Sequence, residues 1–162
     1  MPLPAGADAP GFALPDAGGV ARTLADLAPE GAALLVFFKT SCPTCRLGFP
    51  VYGELARRYG DALPVVAVTQ TQMAVTRPWL ADAGFLGPVL DDEQGHYAVS
   101  RAYDIRSVPT LVLVEHGRVV ASSEAWDRER ANEWARDLGR RTGRDTAPVS
   151  NEGDGRPAFR PG

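Results

Sequence analysis

Two cysteines, Cys42 and Cys45, carry the reactive chemistry that stands out in this sequence. They are the only cysteines among 162 residues, and two residues separate them. An apolar run from Ala32 to Phe38 ends just before Cys42, and apolar residues with helical spacing follow Cys45. A thiol at a helix N-terminus faces unpaired backbone N–H groups, which favour the thiolate that attacks disulfides. The pattern therefore predicts thiol–disulfide exchange.

The positions of the two cysteines predict different roles for them. Cys42, at the helix start, is expected to attack a client disulfide. Cys45 follows one helical turn later, close enough to attack the mixed disulfide and release the product. Pro43 suits the first helical position, where its missing N–H would have no partner. Pro43 and Thr44 are expected to tune the reduction potential and to contact the substrate, and no cofactor beyond the dithiol is expected.

Composition and charge narrow the class of protein. An apolar content of 44% with 23% charged residues is ordinary for a soluble globular chain. A net charge of −3 without a basic patch argues against a nucleic-acid partner. No apolar run approaches the roughly 18–20 residues of a spanning helix, so we expect no membrane partner. Residues 1–6 lack the features of a secretory signal, which predicts a cytoplasmic protein. In a reducing cytosol a lone Cys-x-x-Cys is more often catalytic or metal-binding than structural.

The hydrophobic pattern predicts an α/β domain over residues 31–141, between two extensions. Residues 1–30 are expected to hold a β-hairpin. Residues 142–162 are expected to form a disordered tail, because almost nothing there could be buried. The predicted elements of the domain are strands at 32–38 and 65–68, a cysteine helix with Pro50 inside it, a helix at 75–83, an extended piece at 88–90, a helix at 93–103, a hairpin of strands at 110–114 and 118–122, and a helix from 127 or 128 to 141.

Several motifs together resemble thioredoxin-fold proteins, with matching spacing from about residue 32 to residue 141. They are Cys42-Pro43-Thr44-Cys45, Pro50, the segment from Tyr103 to Thr110, and the turn at Gly117. The N-terminal hairpin and the helix at 75–83 resemble the TlpA-like or redoxin branch of that family. The resemblance implies a three-layer α/β/α fold with a mixed central sheet.

The same resemblance implies a client groove beside the cysteines. Pro109 would be a cis-proline opposite the pair, and the backbone of Val108 would bind an incoming extended peptide. The implied clients are disulfide-bearing proteins or small molecules, with a separate reductase as electron donor. The protein would act as a monomer in cell redox homeostasis.

Three positions depart from the family pattern. Ser41 stands where a tryptophan is usual, and Ala125 stands where a groove glycine is common. Val36 replaces a buried acid six residues before the first cysteine, so a proton acceptor for Cys45 is not evident. These departures affect the expected rate and client range more than the reaction type.

Three alternatives stay open from the sequence. A peroxiredoxin-like peroxidase would carry a threonine three residues before the attacking cysteine, where this chain has Lys39. A zinc site would need His96 and His116 to complete four ligands, yet neither has paired spacing. A non-catalytic interaction module of thioredoxin fold is the third. Lys39 could also stabilise the Cys42 thiolate, and Gln70 could bind a thiol or a client, but solvated polar side chains explain both more simply.

Overall fold

A five-stranded mixed sheet forms the centre of the computed structural model, which describes residues 1–162. None of its helices is both long enough and apolar enough to cross a membrane. The helices and strands in chain order are β1 (Leu14–Pro15), β2 (Ala21–Arg22), α1 (Leu24–Leu27), β3 (Ala32–Phe38), α2 (Pro43–Tyr59), β4 (Val65–Thr69), α3 (Met73–Ala83), β5 (Val89–Asp91), α4 (Ala98–Ala102), β6 (Thr110–Glu115), β7 (Arg118–Glu124), β8 (Trp126–Asp127), α5 (Arg128–Thr142) and β9 (Phe159–Arg160).

The central sheet has the strand order β5-β4-β3-β6-β7, with β3 in the middle. Strand β3 runs parallel to β4 and antiparallel to β6, and β4 runs parallel to β5. The residues from Ala33 to Phe38 are at most 1% exposed, as expected for a strand that is apolar on both faces. This arrangement confirms the predicted α/β class and mixed sheet. Strand β3 ends shortly before the cysteines.

Helix α2 begins at the first cysteine because the local sequence stops the strand and caps the helix. Cys42 is the N-cap residue, and Pro43 occupies the first turn, where a missing N–H has no cost. The helix continues through Pro50 to Tyr59 and buries large side chains, among them Phe49. The cysteine pair therefore lies on a long helix that is anchored in the core.

Most of the predicted elements are present, and one predicted helix is much shorter. The hairpin β6–β7 and the helix α3 lie close to where the sequence places them. The helix predicted at 93–103 is reduced to α4, over Ala98–Ala102. The Asp91 carboxylate accepts the N–H groups of Glu93 and Gln94 and holds them in a turn before α4. His96 and Tyr97 then have positive φ values of 54° and 62°. Left-handed residues interrupt an α-helix, so it begins only after them.

The N-terminal extension contains the predicted hairpin, in a short form. Strands β1 and β2 pair antiparallel across a turn in which the Asp16 carboxylate accepts the N–H groups of Gly18 and Val20. Asp16 also forms an antiparallel backbone bridge with Leu90 of β5, and Leu14 is buried. The extension is therefore packed on the domain.

The prediction of a disordered tail over residues 142–162 is wrong. Strand β9 pairs with β8, and the indole N–H of Trp126 donates to the Pro157 carbonyl at 2.8 Å. The Asn132 side chain accepts the N–H groups of Val149 and Ser150, and Ser150 is buried. The prediction counted apolar side chains, whereas this segment is held mainly through its backbone groups by polar side chains of β8 and α5.

Candidate active site

The Cys42 sulfur lies between a helix N-terminus and the loop before β6. It accepts the backbone N–H of Cys45 at 3.1 Å, and its thiol donates to the carbonyl of Val108 at 3.4 Å. Both cysteines are free thiols. Cys42 is 5% exposed, whereas Cys45 is 0% exposed. Cys42 is therefore the sulfur that a second molecule can reach.

The Cys45 thiol has a different environment. Burial raises its pKa far above the usual range, and a hydrogen bond with the Cys42 side chain raises it further. A hydrogen bond with the Lys39 backbone offsets part of this rise. Cys45 is therefore held as a neutral thiol, while the Cys42 sulfur receives a backbone N–H.

A cavity of ≈ 360 Å³ opens beside Cys42. Pro43 and Val108 form part of its lining, as does Gly162. The peptide bond between Val108 and Pro109 is cis, and the Pro109 carbonyl accepts the N–H of Ala125 at 3.0 Å. The structure thus brings Cys42, Pro43 and the Val108 backbone together at one opening.

Thr44 does not face this cavity, although it lies between the two cysteines in sequence. Its side chain is covered, with 3% of the residue exposed, and its hydroxyl donates to the Pro161 carbonyl at 2.6 Å. No sequence pattern indicated that residues 142–162 would provide a partner for Thr44. Lys39 and Gln70, the two uncertain candidates, do line the cavity.

A buried polar chain behind Gln70 was missed by the sequence analysis. The Gln70 amide donates to the Ser100 hydroxyl at 3.0 Å, and that hydroxyl donates to the Asp92 carboxylate at 2.7 Å. Asp92 is fully buried and also accepts the N–H groups of Val99 and Ser100. The signal in the sequence is Asp92 itself, an acid that follows the extended piece predicted at 88–90.

The model of the AhpC/TSA family matches residues 5–123. This chain belongs to the AhpC/TSA family. The match covers the cysteine pair and the central sheet except for the last residue of β7, and it ends before β8.

Two curated proteins of Bacillus subtilis are similar to this AhpC/TSA-family chain. The thioredoxin-like protein YneN is 30% identical over 119 residues, which are 71% of this chain and 68% of YneN. The thiol–disulfide oxidoreductase ResA is 32% identical over 119 residues, which are 71% of this chain and 64% of ResA. The chain therefore spans slightly less than two thirds of the length of ResA.

Solved structures show the same fold. A thiol:disulfide interchange protein described as DsbE from Chlorobium tepidum has a TM-score of 0.70 and 26% identity, covering 80% of this chain and 91% of that one. The thioredoxin domain of a thiol–disulfide oxidoreductase from Bacteroides vulgatus has a TM-score of 0.68 and 20% identity, covering 76% and 91%. The likeness to the second protein supports the fold alone. Together with the curated relatives, these structures confirm the TlpA-like thioredoxin fold and the predicted class, thiol–disulfide oxidoreductase.

The geometry of this AhpC/TSA-family chain also bears on the alternatives. The Thr40 N–H and hydroxyl contact the Thr71 hydroxyl at 3.0 and 3.3 Å, and Thr44 is engaged with Pro161. In this structure both threonine hydroxyls are therefore engaged by other groups of the protein. The structure contains no group of three or more His, Cys, Asp or Glu side chains that could hold a metal ion.

Proposed function

We propose that this protein exchanges electrons between its Cys42–Cys45 dithiol and disulfides of client proteins or small molecules. The observation that carries the proposal is the asymmetry of the pair. Cys42 lies at the opening, where its sulfur accepts the backbone N–H of Cys45. Cys45 is fully buried and kept protonated. Cys42 is therefore proposed to attack and Cys45 to resolve.

The reaction balances as two successive exchanges. The Cys42 thiolate attacks one sulfur of the client disulfide, the client S–S bond breaks, and the first client sulfur leaves and takes up a proton. Cys45 then loses its proton and attacks the Cys42 sulfur, which releases the second client thiol. The client gains two electrons and two protons, and the chain holds a Cys42–Cys45 disulfide. A separate reductase is proposed to return it to the dithiol.

The Val108–Pro109 loop is proposed to bind the client backbone. The Val108 carbonyl already faces the Cys42 sulfur, and its backbone borders the cavity. An extended client segment could donate to this carbonyl once the Cys42 thiol is consumed. Pro43 is proposed to shape the opposite wall, and Thr44 to contact the client only when Pro161 is displaced.

Substitution of each cysteine in turn tests the proposed roles. Cys42→Ser should abolish reduction of a peptide disulfide, because the attacking sulfur is lost. Cys45→Ser should leave Cys42 able to attack but unable to release, so mixed disulfides should accumulate and be detected by intact mass. Full turnover by Cys42→Ser would refute the assignment.

The reduction potential of the Cys42–Cys45 pair determines whether the protein reduces or oxidises its clients. Alkylation and mass after equilibration in graded glutathione buffers would give it. Values for dithiols of this kind span roughly −270 to −120 mV, from reductants to oxidants. The cytoplasmic location and the monomeric state stay predictions, and a value near the reducing end would favour the former.

A further inference from the structure

Residues 156–162, here called the strap, run along the protein surface to the cysteine site. The strap lies after residue 123, where the family match ends. It follows Gly155, whose φ of +82° turns the chain toward the helix α2. The strap is thus an extended segment of the same chain that carries the dithiol.

The far end of the strap occupies the position proposed for a client. The Pro161 carbonyl accepts the Thr44 hydroxyl at 2.6 Å, directly between the two cysteines in sequence. Gly162 lines the same cavity as Cys42. A Cβ at Gly162 would lie 2.2 Å from the Val108 carbonyl oxygen and 3.3 Å from the Val108 nitrogen. The strap therefore lies against the backbone proposed to receive a client, and its close approach requires glycine.

The strap is held in place by anchors that do not involve the cysteines. Strand β9 pairs with β8, where Phe159 is opposite Asp127. The Trp126 indole donates to the Pro157 carbonyl, and the Arg156 guanidinium donates to the Leu47 carbonyl at 2.9 Å. These anchors can be changed without touching the reactive sulfurs.

The attachment is modest in extent. The β8–β9 pairing is two residues long on each side, and an isolated two-stranded ribbon is at best marginally stable in water. Phe159, the largest apolar side chain of the strap, is 58% exposed. Little apolar area is buried, so the strap can open at a small fraction of the free energy of global unfolding.

We propose that the strap is an intramolecular occupant of the client groove, and that it must leave before a polypeptide client reaches Cys42. The competing client is an extended segment that would bind the Val108 backbone and the β8 edge, which are the two surfaces the strap covers. A small disulfide needs only the cavity and is less hindered. This inference rests on the proposed function, because it concerns the same groove.

Deletion of residues 157–162 tests the strap directly. When the strap is closed over the groove, a smaller fraction of molecules can bind a client, and the apparent affinity for the client falls by that fraction. The deletion should raise kcat/KM for a peptide disulfide by about tenfold, while the value for oxidised glutathione changes by less than about threefold. Alkylation of Cys42 by iodoacetamide should also become faster. Equal or lower rates with the peptide disulfide would overturn the proposal.

Two full-length variants complete the experiment. Arg156→Ala removes the bond to Leu47 and should raise the rate with the peptide in the same direction, even if the deletion proves unable to fold. Glu152→Ala changes an exposed residue before the strap and serves as the matched control, with rates expected to stay unchanged. No change in Arg156→Ala would count against the strap.

The two proposals fail in different ways. If the dithiol is not an exchange site, neither the full chain nor any variant reduces either disulfide. The alkylation rate of Cys42 still reports on the strap in that case. A faster rate after deletion supports the strap, and an unchanged rate overturns it.

Discussion

At the scale of single residues, the two thiols are distinguished by their surroundings rather than by their type. Cys42 receives a backbone N–H, whereas Cys45 has no exposed surface. The sequence could predict this difference because one cysteine falls at the helix start and the other one turn later. It could not predict how completely Cys45 is buried, which depends on tertiary packing.

The buried Cys45 thiol should make the stability of the reduced protein fall at alkaline pH. Its pKa is raised above the ordinary value of 9.0, so the folded state keeps a proton that the unfolded state releases. The stabilisation is complete below the unfolded pKa and is lost as the pH rises toward the folded one. Urea unfolding under reductant, from neutral pH to about pH 10, measures it.

Cys45→Ala provides the comparison for this measurement. The variant should show a shallower loss of unfolding free energy with rising pH than the wild type. The pKa of Tyr52 is also raised by burial, so part of the alkaline loss should persist in the variant. Identical slopes in both proteins would show that the Cys45 thiol does not titrate differently in the folded state.

At the scale of elements, hydrophobic periodicity was sufficient to predict the long strands and helices but not the segments that connect them. Strand β3, helix α2 and the hairpin β6–β7 follow from apolar runs and turn residues alone. The segment before α4 does not, because its shape is set by hydrogen bonds that backbone N–H groups donate to the carboxylates of Asp91 and Asp92. Such bonds leave no periodic trace in a sequence.

Asp92 should therefore contribute strongly to stability. Its carboxylate accepts the Val99 N–H, the Ser100 N–H and the Ser100 hydroxyl, all within a buried region. Asp92→Ala leaves these donors without an acceptor and should lower the free energy of unfolding by about 2–4 kcal/mol.

Asp92→Asn is the matched control, since it keeps one acceptor oxygen in the same place. It should lose less stability than Asp92→Ala in denaturant unfolding. The Gln70 amide, which is held through Ser100, should become more mobile in both variants. An Asp92→Ala protein as stable as the wild type would contradict the assigned role of this carboxylate.

At the scale of the whole molecule, residues 143–162 connect parts that the central sheet alone does not join. The Tyr59 hydroxyl donates to the carbonyls of Ala135 and Asp145, and Arg58 donates to the Ala147 carbonyl. Asn132 holds Val149 and Ser150. Composition failed here because Gly-, Pro- and Asp-rich sequence can be ordered by hydrogen bonds to its backbone, without a hydrophobic core of its own.

Loss of the Asn132 side chain should loosen this segment selectively. Asn132→Ala removes the acceptor for two backbone N–H groups and the donor to the Ser150 carbonyl. Limited proteolysis should then cut within residues 143–162 several times faster, while the protease-resistant domain before them stays intact. Asn151→Ala is a suitable control because the hydrogen bond of its side chain is local, accepted from the Gly153 N–H. Unchanged cleavage in Asn132→Ala would show that this side chain does not hold the segment.

The boundary at residue 123 has a consequence for how this protein could change over time. The reactive sulfurs, the Val108 loop and the central sheet except for the last residue of β7 lie within the family match, whereas β8, α5 and the strap lie after it. The residues proposed to carry out the exchange and the strap proposed to control access to them thus lie in separate stretches of the chain. Substitutions after residue 123 could broaden or narrow the set of admitted clients while the electron-transfer step is inherited unaltered.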